Sequence, residues 1–166
     1  GYVQSDIRFA VSHSAPPEIS EGRLGNEYPI RKYGFVSQHY TDSALKAIET
    51  DDPYPIKMLF ISSTNTFANM SAEARRVHDA MLRVPFIVCA DMWLTPTAMA
   101  CADVFLPIAT TPERDGIRGW WNPFRPIYKV ISCGEAKTDE EIALDLIRRL
   151  NPDEAPWKDV PEMLNY

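Results

Sequence analysis

At 166 residues, 45% hydrophobic and 24% charged, the sequence is long enough for one hydrophobic core and has the make-up of an ordinary globular domain. A formal net charge of -6 argues against nucleic acid or an anionic membrane as a direct partner. The longest apolar runs fall far short of the ~20 residues that a bilayer span requires.

Residues 1–42 are expected to form an irregular covering segment, because "SAPPEISEGRLGNEYPIRKYG" is broken by Pro, Gly and Asn and only "IRFAVS" before it resembles a strand. The chain opens on Gly1-Tyr2-Val3 without a charged and then apolar leader; this reads as a cut or tagged boundary and leaves localisation open. "TDSALKAIETDD" predicts a short helix with Asp42 or Ser43 as N-cap and Pro53 as a stop.

From residue 56 strand-like and helical runs alternate. "IKMLFIS" is a first buried strand. In "SAEARRVHDAMLRV", Ser71 is the expected cap, and Ala74, Val77 and Met81 share the buried face of a helix that Pro85 ends. "FIVCAD" predicts a second strand, "TPTAMACA" a short helix with Pro96 in its first turn, and "DVFLPIA" a third strand. "PIYKVIS" is expected as a last strand. "TDEEIALDLIRRL" follows as a helix with Thr138 and Glu141 in a capping box, acids in its first turn and Arg148 and Arg149 in its last. The tail 151–166, rich in Pro and acids, is expected as a strap or linker. Alternation of this kind predicts an α/β fold: a Rossmann-like three-layer sandwich with a mostly parallel sheet, one structural domain centred on residues 43–150.

Such a sheet gathers its ligand contacts at the carboxyl ends of its strands. Three polar clusters are expected there: Ser62-Ser63-Thr64-Asn65, then Asp91, then Glu113-Arg114-Asp115-Gly116. Asp91 is placed to accept from ribose hydroxyls, or else to serve as a turn or N-cap residue; both readings stand at this point. The "STN" run likewise is either a ligand loop or a Ser/Thr turn, with Asn in place of the glycine that a left-handed turn usually takes. Cys89, Cys101 and Cys133 are too widely spaced for a zinc knuckle or an iron–sulfur loop and are expected as buried free thiols. His13, His39 and His78 stand apart, with His78 expected in a structural role, and the Trp120-Trp121 pair reads as packing or an interface anchor. No hydrolase, zinc-protease, P-loop or G-x-G-x-x-G motif is present.

Taken in order, "IKMLFISSTNT", "FIVCADMWLTPTAMACADVFLPIATTPERDG" and "GEAKTDEEIALDLIRRL" resemble the molybdopterin oxidoreductases of the dimethyl sulfoxide reductase family, from about residue 43 to 150. Members of that family show Gly-Thr-Asn-Pro at a strand end, a Ser/Gln-Asp pair at the next, then Thr-Glu-Thr, Ala-Asp-x-x-Leu-Pro, Glu-Lys-x-Gly and Gly-Glu-Ala-Lys before a helix. The resemblance implies a cofactor-binding domain of a catalytic subunit, holding the guanine nucleotide of one molybdopterin guanine dinucleotide while molybdenum or tungsten is bound outside this fragment. Carried over by position, the contacts fall on Asn65, Ala90, Asp91, Arg114 and Asp139. Here Thr66 stands where the family has proline, Ala90 where it has a side-chain acceptor, Pro96 where it has glutamate and Arg114 where it has lysine.

The family's metal ligand and cluster cysteines have no counterpart, so no catalytic or metal-binding residue is assigned and the fragment alone is expected to be inactive. The implied partners are the remaining domains of the same subunit, with iron–sulfur electron-transfer and membrane-anchor subunits and an iron–sulfur cluster in the parent left open, and no direct membrane contact. A free-standing, non-catalytic nucleotide-binding or assembly module is the alternative.

Overall fold

The computed structural model describes residues 41–69, 73–118 and 125–164. Most of the expected covering segment, with its strand-like "IRFAVS", His13 and His39, lies outside them, as do the Ser71 cap and the Trp120-Trp121 pair.

Helix α1, Thr41–Thr50, turns Leu45, Ala47 and Ile48 inward and begins before the expected caps. Ser43 is buried and its Oγ meets no partner among the described residues, so it caps nothing. The helix ends at Thr50, and Asp51 turns the chain in the left-handed region (φ 57), two residues before Pro53. Strand β1 is Leu59–Ser62, followed by the single turn α2, Thr66–Asn69, and by α3, Ala74–Met81. Val77 and Met81 are buried on α3 as the helical spacing predicts, with Ala80 beside them, while the expected Ala74 is only half-buried. Strand β2, Ile87–Asp91, then α4, Pro96–Cys101, and β3, Val104–Pro107, complete the alternation.

The strands form a parallel sheet in the order β1-β2-β3, with Leu59 opposite Ile87, Val88 opposite Val104 and Asp91 opposite Pro107. Alternation along the strands sends Leu59, Ile61, Ile87, Cys89 and Phe105 into one core with Leu45, Ile48, Val77, Met81 and Ala98 from the helices. The protein is therefore an α/β fold of the Rossmann-like kind, a parallel sheet flanked by helices.

The run "PIYKVIS" does not join that sheet. Its only strand residues belong to β5, Arg125–Ile127, which pairs antiparallel with β4, Gly116–Arg118. A parallel neighbour needs a crossover of a dozen or more residues, and the gap between these strands is too short for one. Pro126 also lacks the N–H that an interior ladder demands. Beyond Ile127 the backbone N–H groups of Val130 and Ile131 donate instead to the Pro112 carbonyl.

Helix α5, Asp139–Leu150, has the expected capping box: Glu141 N–H donates to Thr138 Oγ1 at 3.0 Å, and Thr138 N–H donates to Glu141 Oε2 at 2.8 Å. After it the chain folds back, burying Leu144 against Ala155 and Val160, with Trp157 and Met163 packed beside them. Arg148 on α5 donates to the carbonyls of Trp157 and Lys158. Helix α6, Val160–Leu164, ends the described chain.

Arg76 on α3 ties α1 to the core from outside. Its Nε and Nη2 reach Glu49 Oε1 and Oε2 at 2.7 and 2.9 Å, and its Nη1 reaches Asp42 at 2.9 Å. The Arg76 bond holds the Glu49 carboxyl below its usual 4.5, against the opposing effect of desolvation. A carboxylate with a lower pKa folded than unfolded adds stability above its unfolded value and loses it as pH falls through the folded one. Thermal melts from about pH 7 to about pH 3 are therefore expected to show stability declining below about pH 4.5, and Arg76→Gln is expected to start lower and decline less steeply. Parallel acid limbs in the two proteins would exclude this pair as a source of acid sensitivity.

Candidate functional site

The carboxyl ends of the three strands put Ser62 opposite Ala90 and Asp91 opposite Pro107. The chain leaves β1 through Ser63, a non-glycine residue at φ 54, whose N–H donates to the Ala90 carbonyl at 3.0 Å. The left-handed residue of this turn is thus Ser63, where the sequence pointed to Asn65. A bond to the neighbouring strand offsets the steric penalty of that conformation. Ala90 is buried, and its carbonyl already serves this turn.

Asn65 has a different task. Thr97 Oγ1 accepts from Phe67 N–H at 3.1 Å and donates to Asn65 Oδ1 at 2.8 Å. A hydroxyl has a single proton, so this pair of bonds also fixes the orientation of the Asn65 amide, leaving its Nδ2 donors without a partner among the described residues. Thr97, fully buried on α4, therefore locks the loop after β1 to the loop after β2. Its importance was missed from sequence; the signal was its place as the second threonine of a Thr-x-Thr run. The first, Thr95, caps α4 by accepting from Ala98 N–H at 3.3 Å.

Asp91 takes up its turn reading and keeps one oxygen open. Its Oδ1 accepts from Trp93 N–H at 3.3 Å, an Asx-type turn, while Oδ2 has no partner among the described residues. Its charge is felt at Cys89, whose thiol is pushed up mainly by burial and secondarily by Asp91.

Asp139 arrives at the same edge from 77 residues away: Ser62 Oγ donates to Asp139 Oδ1 at 3.3 Å. The backbone carries it there. Lys137 N–H donates to the Pro107 carbonyl, Ala109 N–H donates to the Lys137 carbonyl, and a parallel bridge between Ile108 and Lys137 continues β3 into the start of α5.

The third expected cluster is largely consumed by the fold. Glu113 is buried and accepts from Thr110 N–H, Thr110 Oγ1 and Cys133 N–H at 2.9, 2.5 and 3.1 Å; these bonds, those from Thr110 foremost, hold its carboxyl below the usual range. Asp115 accepts from Lys129 N–H at 3.0 Å. Only Arg114 is left over. Its Nε is buried without an acceptor among the described residues, and it makes no hydrogen bond to Asp91 or Asp139. Asn65, Ala90, Asp91 and Asp139 are thus tied to one sheet edge by hydrogen bonds and strand register, and Arg114 is not.

Of the cysteines, Cys89 is buried, Cys101 half-buried and Cys133 exposed, so the expectation of burial fails for Cys133, which follows the irregular stretch after β5. His78 packs its ring against Phe67 and lies 3.2 Å from Asp79. Among the described residues no group of His, Cys, Asp and Glu is placed to hold a metal ion, and no helix is long and apolar enough to cross a membrane.

No protein-family model matches the chain. It is 29% identical to the dopamine dehydroxylase of Eggerthella lenta over 97% of this chain and 16% of that protein. It is 30% identical to the acetylene hydratase of Syntrophotalea acetylenica, over 92% of this chain and 21% of that one. The molybdopterin-containing subunit of the thiosulfate reductase of Salmonella typhimurium is 32% identical over 87% of this chain and 20% of its own length. Among solved structures, acetylene hydratase from Pelobacter acetylenicus superposes with a TM-score of 0.67 at 29% identity, covering 78% of this chain and 18% of that one. The chain spans only 16% to 21% of the length of these curated relatives.

Proposed function

The chain is homologous to a domain-sized part of the molybdopterin oxidoreductases of the dimethyl sulfoxide reductase family, and from this premise we propose that it binds the guanine nucleotide part of a molybdopterin guanine dinucleotide within a longer molybdenum or tungsten oxidoreductase. The observation that carries the proposal is the meeting of Asp91 and Asp139 at one strand-end edge, each with one carboxylate oxygen engaged by the protein and the other without a partner among the described residues. Guanine and ribose present N–H and O–H donors, which free carboxylate oxygens accept with charge assistance.

The remaining residues fit such a ligand. Arg114, whose buried Nε has no acceptor among the described residues, supplies a cation of the kind that pairs with phosphate. Asn65 offers its Nδ2 donors beside the same loop, and Ala90 contributes by carrying the Ser63 turn close against β2. When bound, the cofactor supplies the redox or hydroxyl-transfer chemistry at its metal, while these residues orient and anchor the nucleotide end.

The test is extraction of the longer polypeptide that contains this chain. A pterin and a guanine nucleotide are expected to be released together on denaturation. Purified protein that releases neither, from cells supplied with molybdate or tungstate, would overturn the proposal.

A further inference from the structure

The turn that follows Asp91 exposes three large apolar side chains in succession: Met92, Trp93 and Leu94 are 52%, 71% and 57% exposed. A single exposed apolar residue needs no explanation, but a contiguous run at a strand end marks a contact surface. The run is also tethered at both ends. Trp93 N–H donates to Asp91 Oδ1, and Thr95 caps α4 one residue after Leu94. The segment cannot swing away from the sheet edge without giving up the bonds that position Asp91 and start α4.

From this we propose that Trp93 is a stacking platform for the purine base of the bound nucleotide. The inference rests on the nucleotide-binding reading above and adds to it the residue that holds the face of the base. The chemistry of the two groups is complementary. A carboxylate accepts from the edge of a base and cannot grip its face, whereas an indole offers a flat apolar surface to the face and nothing to the edge. One short turn supplies both, because the backbone N–H of the tryptophan is itself fixed to the carboxylate. Stacking is tolerant of base identity, since every base has a π face, so Trp93 is assigned affinity and not the choice of guanine over adenine.

The experiment titrates the 166-residue chain with GDP, ADP and ribose 5-phosphate, following both heat of binding and tryptophan emission. GDP is expected to quench part of the emission, and that part is expected to vanish in Trp93→Phe, in which Trp120, Trp121 and Trp157 remain. Trp93→Ala is expected to weaken GDP and ADP alike by about tenfold and to leave ribose 5-phosphate unchanged, while Trp93→Phe keeps GDP affinity within about threefold. The residue is exposed enough that neither change threatens the fold.

Unchanged GDP affinity in Trp93→Ala, beside a loss in Asp91→Ala, would overturn the stacking role and leave the nucleotide site standing. Absence of GDP binding to the unaltered chain would overturn both. Loss of self-association in Trp93→Ala at unchanged GDP affinity would identify the run as an interface between copies and overturn the proposal equally.

Discussion

Asp91→Ala is expected to weaken GDP binding by the chain by about tenfold to a hundredfold, the equivalent of the ~1.5–3 kcal/mol carried by a hydrogen bond to a charged group. Asp139→Ala is expected to do the same, and the two changes differ in kind according to which carboxylate meets which part of the nucleotide. The one that accepts from guanine N–H groups, when removed, lowers affinity for GDP toward that for ADP. The one that accepts from ribose lowers both together and makes the 2′-deoxy and ordinary nucleotides equivalent. Calorimetry with these three ligands resolves the assignment. Because Ser62 donates to Asp139, Ser62→Ala is a milder version of the second variant: it frees Asp139 without deleting its charge. Undiminished GDP affinity in both aspartate variants would remove the site from this edge of the sheet.

The second large effect is on stability. Ile87→Ala is expected to destabilise the chain by about 2–5 kcal/mol, against about 1 kcal/mol for Ile87→Val. Ile87 is 1% exposed, opens the central strand and packs among the helices that cover the sheet. Its backbone is clasped as well: Ile87 N–H donates to Asp103 Oδ2 at 2.7 Å, and Asp103 N–H donates back to the Ile87 carbonyl at 2.9 Å. With the backbone held, the strand cannot settle into the space left by the missing side chain, which places the effect in the upper part of that range. Since a domain holds only about 5–15 kcal/mol in total, the loss is a large share of its stability and lowers the melting temperature by about ten degrees. Thermal melts of the two variants check the ratio. A shift in Ile87→Ala no larger than in Ile87→Val would mean that this core collapses around the gap.

What could be read from the amino acids alone followed from how locally each signal is encoded. The capping box of Thr138 and Glu141 needs residues three apart on one chain, and it forms as expected. The buried face of α3 needs only helical spacing, and the continuous apolar run "FIVCA" needs only a strand covered on both sides. The parallel sheet could be inferred because three strand-like runs alternate with helical ones, although β1, expected as a buried strand, and β3 leave Phe60 and Val104 exposed and only β2 is covered throughout. The run after residue 125 failed because its residues favour strand without saying which strand they meet: β5 pairs antiparallel with the nearby β4 and not with the parallel sheet.

The candidate site divides along the same line. That Asp91 ends a strand, that Asn65 lies in the loop after another and that Asp139 opens a helix are properties of short stretches, and the resemblance to a family rests on their order. Which atoms remain open for a ligand depends on partners brought in from elsewhere. Glu113 and Arg114 are neighbours of similar polarity, but Cys133 and Thr110 occupy the first while nothing described accepts from Nε of the second. Thr97 looks like an ordinary helix residue until Asn65 and Phe67, about thirty positions away, are found on its hydroxyl. Sequence by itself determined the elements of the parallel sheet with the helices α1, α3, α4 and α5, their order and the chemical types at the strand ends, because propensity, capping and periodicity act over a few residues. Only the tertiary structure decided that Ser62 meets Asp139, that Ser63 makes the turn and that Trp93 stands exposed beside Asp91, because a hydrogen bond or a buried surface is settled by which distant segments the packing brings together.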